Sequence, residues 1–133
     1  QGAVDLTFAS LLNIETLLIA GNQVTLTSAQ LGAFLTISGT GLTETLILSD
    51  AGLVDLANSN IAAIEEIRGN GLANNIVLTG VAQGQFVNLL GGADNFAGSN
   101  GNDFAAGGAG GDTLDGAAGN DTLVGDTGVD TLT

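Results

Sequence analysis

The chain has no cysteine, so neither a disulfide nor a thiolate-bound metal holds it together. It has no histidine, which removes the commonest general base and a frequent metal ligand. Proline, tryptophan, tyrosine and methionine are also missing, and phenylalanine, present five times, is the only aromatic. An apolar content of 44% is ample for a core, but it comes from small aliphatic residues, which suit thin layers better than a thick globule. Positive charge is nearly absent. Arg68 is the single base against fourteen acids, for a formal charge of −13. Phosphate binding needs a basic surface, so nucleic acid is excluded as a partner and anionic membrane is disfavoured. No run is long and apolar enough for a transmembrane segment, and no charged-then-apolar leader opens the chain. Serine and threonine are abundant, yet without histidine nothing is suited to activate them as nucleophiles. Glu65-Glu66 and Asp50/Asp55 read as solvated acids, because general acid–base work needs one carboxylate of raised pKa in a cleft. An extra loop calcium at Asp50, Asp55 or Glu66 is the alternative for these acids.

Glycine is what the chain has in quantity, and it is in phase. Residues 98–133 read GSNGNDFAA, GGAGGDTLD, GAAGNDTLV and GDTGVDTLT. These are four consecutive nonapeptides with glycine at the first and fourth positions and aspartate at the sixth. Such a period overrides residue-by-residue propensities and marks a solenoid. The glycines, with their tolerance of positive φ, are expected at tight turns. Asp103, Asp112, Asp121 and Asp130 are expected to close those turns. A three-residue strand follows, with Leu114, Leu123 or Leu132 pointing inward. Two nonapeptides make one coil, so residues eighteen apart stack: Asp103 over Asp121 and Asp112 over Asp130. Stacked carboxylates repel unless a cation lies between them, and carboxylates with inward carbonyls form an all-oxygen cage that suits calcium. Seven of the fourteen acids (Asp94, Asp103, Asp112, Asp115, Asp121, Asp126 and Asp130) fall in residues 91–133, where no base occurs.

These nonapeptides resemble the repeats-in-toxin (RTX) family of secreted bacterial proteins, over about the last third of the chain. The resemblance implies a calcium-binding β-roll with two to three or more Ca2+ ions, each held between turns of neighbouring coils. One ion would take the carbonyls of Ser99 and Gly101 with Asp103, then those of Gly116 and Ala118 with Asp121. A second would take Gly108, Gly110 and Asp112, then Gly125, Thr127 and Asp130. The register extends back one unit, to Asp94 and an inward Phe96. It implies a third ion between Leu90, Gly92 and Asp94 and Gly107, Ala109 and Asp112, although Leu89 replaces the first glycine there. Gly98–Ala106 departs as well, with Phe104 preceding a small inward Ala105. The resemblance also implies type I secretion to the cell exterior or the bacterial surface.

Residues 1–90 lack the nonapeptide but carry short strand patterns at Leu17–Ile19, Val24–Thr27, Leu35–Ser38, Leu46–Ser49, Ile76–Thr79 and Phe86–Leu90. Ser28–Phe34 and Ser59–Glu66 have the look of short helices opened by serine N-caps, the second helped by Ile61, Ile64 and Ile67. Val4-Asp5-Leu6, Ile14-Glu15-Thr16-Leu17 and Val24–Thr27 match Val54-Asp55-Leu56, Ile64-Glu65-Glu66-Ile67 and Ile76–Thr79, as in a duplicated unit of about fifty residues. The expected architecture is all-β: a right-handed parallel β-solenoid with irregular coils over 1–90, running without a linker into a calcium β-roll over 91–133. The expected role is structural and not enzymatic, as a calcium-dependent module of a surface layer, filament or adhesin that associates end to end with itself. The alternative is the C-terminal secretion and folding module of a secreted hydrolase or toxin. Flanking domains of a larger chain and a cell-surface glycan are further candidate partners, since the start at Gln1 and the stop at Thr133 read as those of a fragment.

Overall fold

A computed structural model describes residues 4–7, 15–41 and 43–133. Ile14, used in the fifty-residue pattern above, lies outside the described residues. The described chain is a parallel β-solenoid of about six turns with almost no helix. A seven-stranded sheet stacks β1 (Val4–Asp5), β3 (Gln23–Leu26), β5 (Thr45–Leu48), β8 (Glu66–Asn70), β10 (Phe86–Leu90), β12 (Phe104–Ala109) and β14 (Thr122–Thr127) in that order. A five-stranded sheet stacks β6 (Gly52–Asp55), β9 (Asn74–Val77), β11 (Asn95–Ala97), β13 (Thr113–Asp115) and β15 (Thr131–Leu132). A three-stranded sheet of β2 (Thr16–Leu18), β4 (Thr36–Ser38) and β7 (Asn60–Ala62) makes a third side for the early coils only.

The coils narrow along the chain. In the seven-stranded sheet Val24 pairs with Leu46, Leu46 with Ile67, and Ile67 with Val87, which are steps of 22, 21 and 20 residues. Val87 then pairs with Ala105, and Ala105 with Leu123, both steps of 18. Once β7 ends the third side, a coil needs only two strands and two turns. The inward ladder Val24–Leu46–Ile67–Val87–Ala105–Leu123 faces Val54–Ile76–Phe96–Leu114–Leu132 of the second sheet. Phe96 and Ala105 are both fully buried in this core. The bulky phenylalanine on one face thus goes with the small alanine on the other, and Phe104 points outward to stack on Phe86 with ring centroids 4.7 Å apart.

Two of the sequence expectations change. The helix α1 is Ser28–Leu31, and its N-cap is Thr27, with a capping box to Gln30. It packs beside β6, where a Cβ on Gly52 would meet Ser28 Oγ at 2.5 Å, so it covers the first edge of the five-stranded sheet. The solenoid therefore has a partial cap at that edge, formed by a shorter helix than the sequence suggests. Residues 59–66 are not helical. Ile61 lies in β7 and Ile67 in β8, on different sheets, and the chain turns between them at Ala63 with φ 52°. Of the segments in the fifty-residue pairing, Val4 lies in the seven-stranded sheet and Val54 in the five-stranded one.

Candidate metal centre

The turns between the two main sheets follow one plan, set by a glycine and a polar side chain five residues later. The side chain folds back over the glycine. A Cβ on Gly98 would lie 2.8 Å from Asp103 Oδ2, and one on Gly116 would lie 2.6 Å from Asp121 Oδ2. On Gly107 and Gly125 it would collide with Oδ2 of Asp112 and Asp130. None of these four glycines has positive φ, so the first-position glycine is there for close approach of the carboxylate and not for turn conformation. The fourth-position glycines do use positive φ in three repeats, at Gly110, Gly119 and Gly128 (φ 149°, 140° and 145°).

Each sixth-position carboxylate then ties its coil to the coil before. Oδ1 of Asp130 accepts the N–H of Asp112 at 2.9 Å, Oδ1 of Asp112 that of Asp94 at 2.9 Å, and Oδ1 of Asp94 that of Asn74 at 2.7 Å. In the other column Asp121 Oδ1 accepts from Asp103 N at 2.8 Å, and Asp103 Oδ1 from Gln85 N at 2.7 Å. The carbonyls named from the sequence lie at the stacked turns. A Cβ on Gly108, Gly110, Gly119 or Gly128 would collide with the carbonyl oxygen of Leu90, Gly92, Gly101 or Gly110 respectively, and a Cβ on Gly98 with that of Gly116. Ala109 and Thr127 carbonyls accept Gly92 N and Gly110 N, both at 2.8 Å, and Gly108 O accepts the Thr127 hydroxyl at 3.3 Å. Ser99 O accepts Ala118 N at 3.4 Å. Gly107 is buried beneath Asp112, and Gly125 lies beneath Asp130. Asp115, at the end of β13, and Asp126, in β14, are exposed.

The same plan extends back into coils without the nonapeptide, and the sequence reading missed this. Glu44 is fully buried. Its Oε1 accepts the Thr40 hydroxyl at 2.5 Å, Thr40 N at 2.9 Å and Gly21 N, one coil earlier, at 2.8 Å. Glu65 Oε2 accepts Glu44 N at 2.7 Å, and Asp50 Oδ1 accepts Ser28 N at 2.7 Å. Asn74 stands in the column of Asp94, over Gly69, and its Oδ1 accepts Asn70 N at 3.1 Å. The Nδ2 groups of Asn70 and Asn74 both donate to Asp50 O, at 2.9 and 3.0 Å. A signal for this was available: Gly39-Thr40 and Glu44, Gly69-Asn70 and Asn74, and Gly98-Ser99 and Asp103 share one spacing.

Electrostatics separates the two kinds of turn. The Thr40 hydroxyl, with backbone donors behind it, holds the Glu44 carboxyl well below the usual carboxylate range. Asp94 moves the other way, to about 6, chiefly because it is buried and further because Asp112 lies near, although Asn74 N–H pulls it down. Oδ2 of Asp94 and Oδ2 of Asp112 are buried with no hydrogen-bond partner, as is Oε1 of Gln85. A buried, unpartnered carboxylate oxygen is costly unless a cation or proton meets it. The all-oxygen donor set and these orphaned atoms fit a hard divalent cation such as calcium.

Residues 97–132 match the family model of the RTX calcium-binding nonapeptide repeat, in four copies. These residues are RTX repeats. Such repeats bind Ca2+, and tandem copies hold several ions. Comparison with curated proteins and with solved structures gives no match. Among the described residues no helix is long and apolar enough to cross a membrane.

Proposed function

We propose that this chain is an extracellular, calcium-dependent structural module that completes its fold on binding Ca2+ and associates with itself as part of a surface layer, filament or adhesin. The observation that carries the calcium-dependent part is the pair of buried, unpartnered oxygens on Asp94 and Asp112. In this reading Asp94, Asp103, Asp112, Asp121 and Asp130 hold the ions with backbone carbonyls of the stacked turns. Asp103 works with Asp121, Asp112 with Asp130, and Asp94 with Asp112. Among the described residues no three carboxylates gather at one point, so the carbonyls of Leu90, Gly92, Gly101, Gly110 and Gly116 are needed to complete each set. Calcium, when bound, would supply positive charge to these hard oxygen donors. Each carboxylate keeps its Oδ1 on the preceding coil, so an ion on Oδ2 joins two coils that are already in register.

Self-association is supported by charge and by shape. A chain of net charge −13 repels its copies until calcium screens and bridges it. Stacked parallel strands pair by backbone alone, so one solenoid offers another a ready template. A structural role accords with a chain whose buried acids are all tied into turns. Sedimentation velocity across a calcium titration, with magnesium as control, tests the proposal. Growth of the sedimentation coefficient with calcium but not magnesium supports it. A calcium-loaded chain that stays monomeric at high concentration favours a folding module within a larger secreted protein.

A further inference from the structure

We infer that Ser99 keeps the Asp103 half-site closed on itself and makes the Asp103/Asp121 site the weakest of the calcium sites. The inference rests on the reading above, that the sixth-position aspartates are ligands. Second-position residues fall into two groups. Leu90, Gly108, Ala117 and Asp126 all have positive φ, from 64° to 99°. Thr40, Asn70 and Ser99 do not, and each donates its backbone N–H to the side chain four residues on, in Glu44, Asn74 and Asp103. Ser99 thus brings the closure of the early coils into the first RTX repeat.

The consequence falls on Asp103. Its Oδ2 accepts Ser99 N at 2.7 Å, and the Ser99 hydroxyl lies 2.9 and 3.0 Å from its two oxygens. The hydroxyl oxygen in turn accepts Gly101 N at 3.0 Å, which fixes the serine in place. Ser99 is fully buried and Asp103 is 3% exposed, so water does not compete for these bonds. Asp94 and Asp112, equally buried, each keep one oxygen without a partner. An ion that uses Asp103 must displace charge-assisted hydrogen bonds that an ion at Asp94 or Asp112 does not meet. Such bonds are strong enough to weaken binding about tenfold or more.

Calorimetric calcium titration of the whole chain tests this, with circular dichroism at saturating calcium to check each variant's fold. The wild type should show a tight class of sites and one weaker by about tenfold or more. Asp121→Asn should remove the weak class and spare the tight one. Ser99→Gly, which removes the hydroxyl and frees the backbone for positive φ, should merge the two classes. Ser99→Thr, which restores the arrangement at Thr40, should keep them apart. If Ser99→Gly does not fold, Ser99→Ala removes the hydroxyl alone and should tighten the weak class in part. A wild type with equivalent sites, or a weak class unmoved by both Ser99→Gly and Ser99→Ala, overturns the inference while leaving the calcium reading intact. The absence of any calcium binding overturns both.

Discussion

The coils up to Leu89 and the roll beyond it solve one problem with different materials. Both stack parallel strands 18 to 22 residues apart and both close their turns with a polar side chain over a glycine. The early coils have a third sheet as far as β7 and a continuous apolar core. Among the described residues, only Phe96, Ala105 and Leu114 of the buried core lie beyond Leu89. Each fully buried large apolar side chain contributes about 1.5–3 kcal/mol, so the roll has little apolar burial to set against the entropy of ordering its chain. The acids differ in the same direction. Glu44 is met by the Thr40 hydroxyl and by the backbone N–H groups of Thr40 and Gly21, whereas Asp94 and Asp112 present unmet oxygens. A narrow coil has little room for a core, and in the proposed reading a bound cation makes up what it lacks in apolar contact.

The largest single break in this contrast should come from Asp112→Asn. In the proposed reading Asp112 serves both the Asp94 and the Asp130 pairs, so its loss would remove a charged ligand from two sites. Calcium-induced circular dichroism should require at least about a tenfold higher calcium concentration, the cost of a charged partner. An unchanged calcium midpoint would contradict the assignment. Glu44→Gln should act in the other region. It replaces an ionised acceptor of several hydrogen bonds with an amide and should lower Tm by several degrees at any calcium concentration, as followed by thermal melts. A Glu44→Gln deficit that calcium repairs would show that the two regions are not distinct.

A smaller effect separates ligand from surface within the roll. Asp121→Asn should weaken calcium binding measurably, while Asp115→Asn and Asp126→Asn, on exposed positions, should stay within about 0.5 kcal/mol of wild-type stability. Equal calcium titrations for all three would show that the sixth position has no special role.

The repeats were legible because their period is rigid: one glycine, one aspartate and one inward apolar residue per nine positions fix register, stacking and ion chemistry together. Even there the first glycine was assigned the wrong physical reason, since its contact with the carboxylate is visible only in three dimensions. Glu44 was legible only in part. Its distance from Gly39 equals that of Asp103 from Gly98, but its acceptor role toward Gly21, 23 residues earlier, is tertiary, and coils that change length from 22 to 20 residues leave no fixed stacking period to read. The misread helix at residues 59–66 has a related cause. Isoleucines three apart imitate a helical face when the chain in fact rounds a corner between two sheets. The cap α1 was half legible, because Thr27 and Gln30 form a capping box while the helix's place beside β6 is tertiary.

The smallest effect is pH dependence without calcium, and it should have opposite signs in the two regions. Glu44 has a depressed pKa in the fold, so its stabilisation is present above the ordinary glutamate value and is lost as pH falls toward the depressed one. Asp94 is raised to about 6 in the folded roll, so without calcium the roll gains order at low pH, where Asp94 is protonated; that gain is full below the ordinary aspartate value and is lost as pH rises through about 6, which leaves the roll open at neutral pH. Thermal melts in chelator should show Asp94→Asn flattening the loss between about pH 4 and 6, and Glu44→Gln flattening the loss below it. Identical pH profiles for both variants and the wild type would remove the electrostatic half of the comparison.

Residue-resolved amide hydrogen exchange, in chelator and then in calcium, tests the division most directly. Amides of β3, β5, β8 and β9 should be protected in both conditions, while those of β12 to β15 should exchange freely in chelator and become protected on adding calcium but not equal magnesium. Protection of β12 to β15 in chelator, or loss of protection throughout the solenoid when calcium is removed, would contradict that division.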